Sequence, residues 1–117
     1  MVALQDCIFC NIVNKEVPAD VVYEDGDVLA FKDINPQAPF HILLIPKKHI
    51  PTFFDMEEGD ERILGRLHEA AVQVARDFGL TESGFRLVSN CREGAGQVVF
   101  HIHYHLLAGR ELNWPPG

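Results

Sequence analysis

At 117 residues, 47% apolar and 23% charged, the chain suits one packed domain, and its composition excludes a disordered, collagen-like or disulfide-framework protein. A net charge of −7 argues against a nucleic-acid partner, because such proteins present a basic patch, so a phosphate-bearing ligand should be small. The N-terminus shows no leader pattern, no stretch is apolar for long enough to cross a bilayer, and three cysteines suit no disulfide set. The expectation is therefore one cytoplasmic domain, 1–117, with no membrane partner.

Cys7 to Asn14 sets Ile8 and Ile12 four residues apart, the spacing of a short one-sided helix, and Pro18 lies downstream to close it. Val21–Glu24 and Val28–Phe31 are β-rich runs around Asp25-Gly26-Asp27, a link suited to a hairpin, and the second run is over by Asp33. Residues 35–39, Asn-Pro-Gln-Ala-Pro, are turn chemistry, after which His41–Ile45 reads as a buried strand stopped by Pro46. From Glu57 to Gly79 the period becomes helical, with Ile63, Leu67, Ala70, Ala71, Val74, Ala75 and Phe78 on one stripe and Gly79 placed to end it. Phe85–Ser89 alternates as a half-buried strand, Glu93–Gly96 is a flexible loop, and Val98–Leu107 is the last strand. Short links between most strands favour an antiparallel sheet. The fold class predicted is α+β: five strands, one long helix over a face and a short N-terminal helix.

Within that last strand His101, His103 and His105 alternate with Ile102, Tyr104 and Leu106, so three imidazoles share a face, adjacent ones roughly 6.5 to 7 Å apart. A single strand histidine is most often only solvated or hydrogen-bonded. Three in register beside a Gly-rich loop point to chemistry, and one tetrahedral metal fits consecutive strand positions poorly. Nucleophilic catalysis at phosphorus fits better. A neutral imidazole attacks, clustering disfavours simultaneous charging, and His103 alone has an imidazole on either side.

Phosphate needs donors, which the backbone of Gly94-Ala95-Gly96-Gln97 and the Asn90 amide could supply. Ile8, Ile12, Phe31 and Ile34 could line a slot for a base, with Asp33 on ribose hydroxyls, although core packing explains the apolar four as well. Cys7 and Cys10 are spaced for one zinc ion or a redox disulfide. His49 and His101 are possible further ligands, with free thiols the alternative, while Cys91 stands alone.

The run His101-Ile102-His103-Tyr104-His105-Leu106-Leu107 resembles the signature of the histidine-triad superfamily. Residues 33–39, His41 to Ile50, Gly96-Gln97 and the terminal Trp114-Pro115-Pro116-Gly117 are similar to its HINT branch, the purine nucleoside phosphoramidases. The resemblance implies a homodimer with a continuous ten-stranded sheet. Its reaction would be hydrolysis of purine nucleoside 5'-phosphoramidates, derivatives of AMP or GMP, to the monophosphate and an amine, with no cofactor required for catalysis. It implies His103 as nucleophile, His101 and His105 as flanking partners and His41 orienting the triad. Asn90, Gly96, Gln97 and Val98 would lie near the phosphate and Asp33 on the ribose. Ile8, Phe9, Ile12, Phe31 and Ile34 would surround the base, and Trp114 would approach the partner's site. It also implies structural zinc on Cys7, Cys10, His49 and His101.

One departure is Val98, where the branch usually has a serine hydroxyl on the phosphate. The backbone N–H survives there, so activity should persist with altered efficiency or leaving-group preference. Dinucleoside-polyphosphate hydrolysis or nucleotidyl transfer would use the same histidines. A nucleotide- or zinc-binding interaction protein with little activity is the rival from another class.

Overall fold

A computed structural model of the chain describes residues 6–117, and in it the strands sort their side chains by parity, as a pleated sheet must. β1 (Val21–Glu24), β2 (Val28–Lys32), β3 (Phe40–Pro46), β4 (Arg86–Val88) and β5 (Tyr104–Ala108) form one antiparallel sheet in the order β1-β2-β3-β5-β4. Val28, Ala30, Ile42, Leu44, Leu106 and Ala108 pack with Leu67, Ala70, Ala71, Val74 and Ala75 of the long helix α2 (Asp60–Asp77). The alternate residues Leu29, Phe31, Leu43 and Ile45 meet Phe9 and Ile12 of the short helix α1 (Ile8–Val13). Cover on both faces explains why β3 is buried along almost its whole length instead of alternating. The α+β expectation holds.

Helix α2 begins at Asp60, three residues later than its apolar period suggests. Gly59 adopts φ +92°, and the Asp60 carboxylate accepts the Glu57 N–H at 2.8 Å, so residues 57–59 form a turn. At the other end Gly79 takes φ +70°, which lets the Leu80 N–H reach back to the Ala75 carbonyl at 2.8 Å and buries Leu80 under the helix.

The last strand is shorter than expected. Its ladder starts at Tyr104, not Val98, so His101 and His103 precede the sheet and only His105 lies in it. The reason lies across the chain: the Gln97 side-chain amide donates to the Pro51 and Val99 carbonyls, and the Ile102 N–H donates to the Ile50 carbonyl at 2.8 Å. Residues 97–102 therefore run beside residues 50–51 and not beside β3. Glu93–Ala95 forms a 3-10 turn in place of the expected flexible loop, and Phe53–Asp55 forms another, capped by Thr52. Among the described residues no helix is long and apolar enough to cross a membrane.

Candidate functional site

Parity carries into the histidines. Tyr104 turns toward α2, where its ring meets those of His68 and Phe53, so His103 and His105 share the opposite face with ring centroids 5.1 Å apart. His41, on β3 opposite Leu107, reaches the same face and lies 5.2 Å from the His105 ring.

Each ring's chemistry follows from what its other nitrogen touches. His103 Nδ1 lies 2.8 Å from the His101 carbonyl oxygen. A carbonyl can only accept, so Nδ1 carries the proton and Nε2 keeps a lone pair. Burial holds this ring's pKa below the usual histidine value, against the opposing pull of that carbonyl and of Asp33. The ring is thus neutral near pH 7. Crowding with other imidazoles, the cause expected from the sequence, acts on His101 and His105, whereas burial is what lowers His103.

His41 Nδ1 accepts the Gln37 N–H at 2.9 Å, which puts the His41 proton on Nε2, pointed at His105 Nδ1, also 2.9 Å away. His105 consequently carries its own proton on Nε2. Burial, with the nearby His103 and His41, pushes its pKa down to about 4, so it is a neutral donor. Asp33 Oδ2 stands 3.4 Å from His41 Nε2, while the Asn35 N–H bonds Asp33 Oδ1 at 2.8 Å.

His101 works differently. Its Nε2–H donates to the Pro46 carbonyl at 2.7 Å, leaving Nδ1 as the lone-pair nitrogen. That nitrogen faces Cys7 Sγ at 3.4 Å, Cys10 Sγ at 3.7 Å and His49 Nδ1 at 3.2 Å. The four ligand atoms lie within 4.8 Å of one another. Two sulfurs and two imidazole nitrogens at that closeness are a tetrahedral zinc donor set, and the Pro46 carbonyl supplies the outer bond that fixes a ligating imidazole. The residues fit the ion. Burial, then the Cys7 thiol beside it, raises the Cys10 thiol to about 11, and burial holds His101 down to about 4. The thiol needs a cation to ionise at neutral pH, whereas the imidazole is already neutral.

Of the residues expected around a base, Phe9, Ile12 and Phe31 are buried together, and Phe9 sets its ring edge-on to both His101 and His103. Ile8 is partly exposed and Ile34 is 100% exposed, so a single chain does not gather the five into one slot. The expectation that the glycine turn presents free backbone donors needs correcting. The N–H groups of Ala95, Gly96 and Gln97 already bond the Arg92 and Glu93 carbonyls. The Gln97 side chain is engaged as well: its oxygen accepts the Arg92 N–H and its nitrogen holds Pro51 and Val99. This grip keeps Arg92 at φ +70°, a conformation that favours glycine. The Asn90 amide lies beside Gly96. Val98 and Trp114 are exposed, and a hollow of about 770 Å³ opens between Ile8, His49, Val98 and Phe100, beside the cysteine cluster and not over His103. Nothing in the sequence pointed to Gln37 or Pro46 as the partners that set two of the tautomers.

Comparison with known proteins agrees with this picture. The family model described as HIT domain matches residues 14–112. A protein of Escherichia coli K12 named purine nucleoside phosphoramidase is 47% identical over 108 residues, 92% of this chain and 91% of that one. The 14 kDa zinc-binding protein of Brassica juncea is 54% identical over 114 residues, 96% of this chain and 100% of its own length. The crystal structure of a HIT family hydrolase from Legionella pneumophila superposes with a TM-score of 0.92 at 52% identity, covering 96% of this chain and 100% of that one.

Proposed function

The chain belongs to the HIT domain family, and on that premise we propose that it hydrolyses purine nucleoside 5'-phosphoramidates through a nucleotidyl intermediate on His103. The observation that carries this reading is the bond from His103 Nδ1–H to the His101 carbonyl, which leaves Nε2 unprotonated. In the first step Nε2 attacks phosphorus, the P–N bond breaks, and the leaving nitrogen takes a proton from solvent to depart as the amine. Water then displaces the nucleoside monophosphate from His103. Throughout, His105, held by His41, offers its Nε2–H to a phosphoryl oxygen.

In this reading Asp33 bonds the ribose, Asn90 and the Val98 backbone lie along the phosphate, and Gly96 and Gln97 act by shaping that turn. Ile8, Phe9, Ile12, Phe31 and Ile34 flank the base. The working form is a homodimer in which the exposed Trp114 reaches the partner's site. Cys7, Cys10, His49 and His101 would hold zinc, which when bound cross-links α1 to the segments at residues 49 and 101; the chemical step needs none.

Turnover of adenosine and guanosine phosphoramidates beside diadenosine polyphosphates tests the reading. Faster release of amine than of polyphosphate product supports it, and the reverse order favours the dinucleoside-polyphosphate alternative, which the same histidines could run on a different leaving group. Nucleotide binding with no turnover of either would instead favour a nucleotide- or zinc-binding interaction protein, a reading motivated by the cysteine–histidine cluster.

A further inference from the structure

Residue 101 belongs to two clusters at once. Its imidazole Nδ1 faces Cys7, Cys10 and His49, and its main-chain carbonyl accepts the Nδ1–H of His103. No strand ladder places that carbonyl, because β5 begins only at Tyr104. What places it is a set of bonds to one segment, residues 46–51: the His101 ring to the Pro46 carbonyl, the His101–His49 contact, the Ile102 N–H to the Ile50 carbonyl and the Gln97 amide to the Pro51 carbonyl. Phe9, next to Cys10 on α1, packs edge-on against both His101 and His103.

We propose that His101 is a positioning residue through which Cys7, Cys10, His49 and His101, on closing round a divalent ion, hold the nucleophile His103 in its Nδ1–H tautomer. A neutral imidazole has two tautomers of similar energy, and His103 is committed to one of them by a single acceptor. Moving that acceptor by about 1 Å breaks the bond, and misplacement on that scale in a catalytic array costs about 10²-fold in rate. Four ligands from three segments keep residue 101 from moving. His101 then needs no contact with the substrate to matter for turnover.

The proposal rests on the phosphoramidase reading only for its kinetic arm; its spectroscopic arm stands without it. Full-length protein labelled with ¹⁵N-histidine would be observed zinc-loaded, chelator-stripped and reloaded with zinc, and in the variant His49→Ala, whose parent side chain is exposed and does not touch His103. The loaded protein should show His103 as one Nδ1–H tautomer. Stripped protein and His49→Ala should show it averaged over both, with kcat down about 10-fold, KM unchanged, and recovery on reloading in the wild type alone. An identical His103 spectrum with and without the ion overturns the proposal. So does global unfolding on stripping, because the ion would then hold the whole fold and not this ring. If no form turns over phosphoramidate but the tautomer still responds to the ion, the proposed function fails and this inference survives.

Discussion

His101 and His103 are two residues apart, share a side chain and are both buried, yet the structure prepares them for different work. His101 gives Nε2–H to the Pro46 carbonyl and turns Nδ1 toward two sulfurs, while His103 gives Nδ1–H to the His101 carbonyl and keeps Nε2 free. The difference teaches that an imidazole's chemistry is chosen by the bond on its other nitrogen, which sequence spacing does not encode.

If the two rings divide the work, substitutions should separate catalysis from zinc binding. The strongest is His103→Asn, which should lower phosphoramidate turnover at least about 10⁴-fold while leaving zinc content and Tm unchanged; a loss under tenfold would mean that the two rings do not divide the work. His41→Ala removes the donor that orients His105, and kcat/KM should fall about 10- to 100-fold, again with zinc content unaltered. Val98→Ser adds a hydroxyl beside the phosphate-side turn and should raise kcat/KM by about tenfold or less, so an unchanged value would place that side chain away from the phosphate. The pH profile is a gentler probe. Burial depresses the His103 pKa, so the ring stays neutral on acidification until the pH is below its ordinary value of 6.5, and the acid limb of kcat/KM should lie below that pH. A limb centred at or above 6.5 would contradict the burial argument.

Much of the framework was legible because it obeys short periods. The limits of β1 follow from a β-rich run beside a turn, and the apolar stripe of α2 and the shared face of His103 and His105 from periods of 3.6 and 2 residues. The convergence of Cys7, Cys10, His49 and His101 came from ligand spacing and family resemblance. What could not be read depends on bonds and element limits that residue type does not specify, some of them across the chain and some within one turn. Val98–His103 has the composition of a strand, but Gln97 and Ile102 are tied to residues 50–51, and this removes the stretch from the ladder. The glycine turn reads as an open anion cradle because sequence does not reveal that its amides close on Arg92 and Glu93. Ile34 looks like a core residue by type and is fully exposed, since β2 ends two residues before it.

In the proposed reaction Nε2 of His103 is the nitrogen that bonds phosphorus. Mass analysis of protein quenched during turnover of an adenosine phosphoramidate tests it most directly. A nucleoside-monophosphate adduct located on His103, and missing from His103→Asn, is the result predicted. An adduct on His101 or His105, or turnover that builds none while His103→Asn remains active, would contradict it.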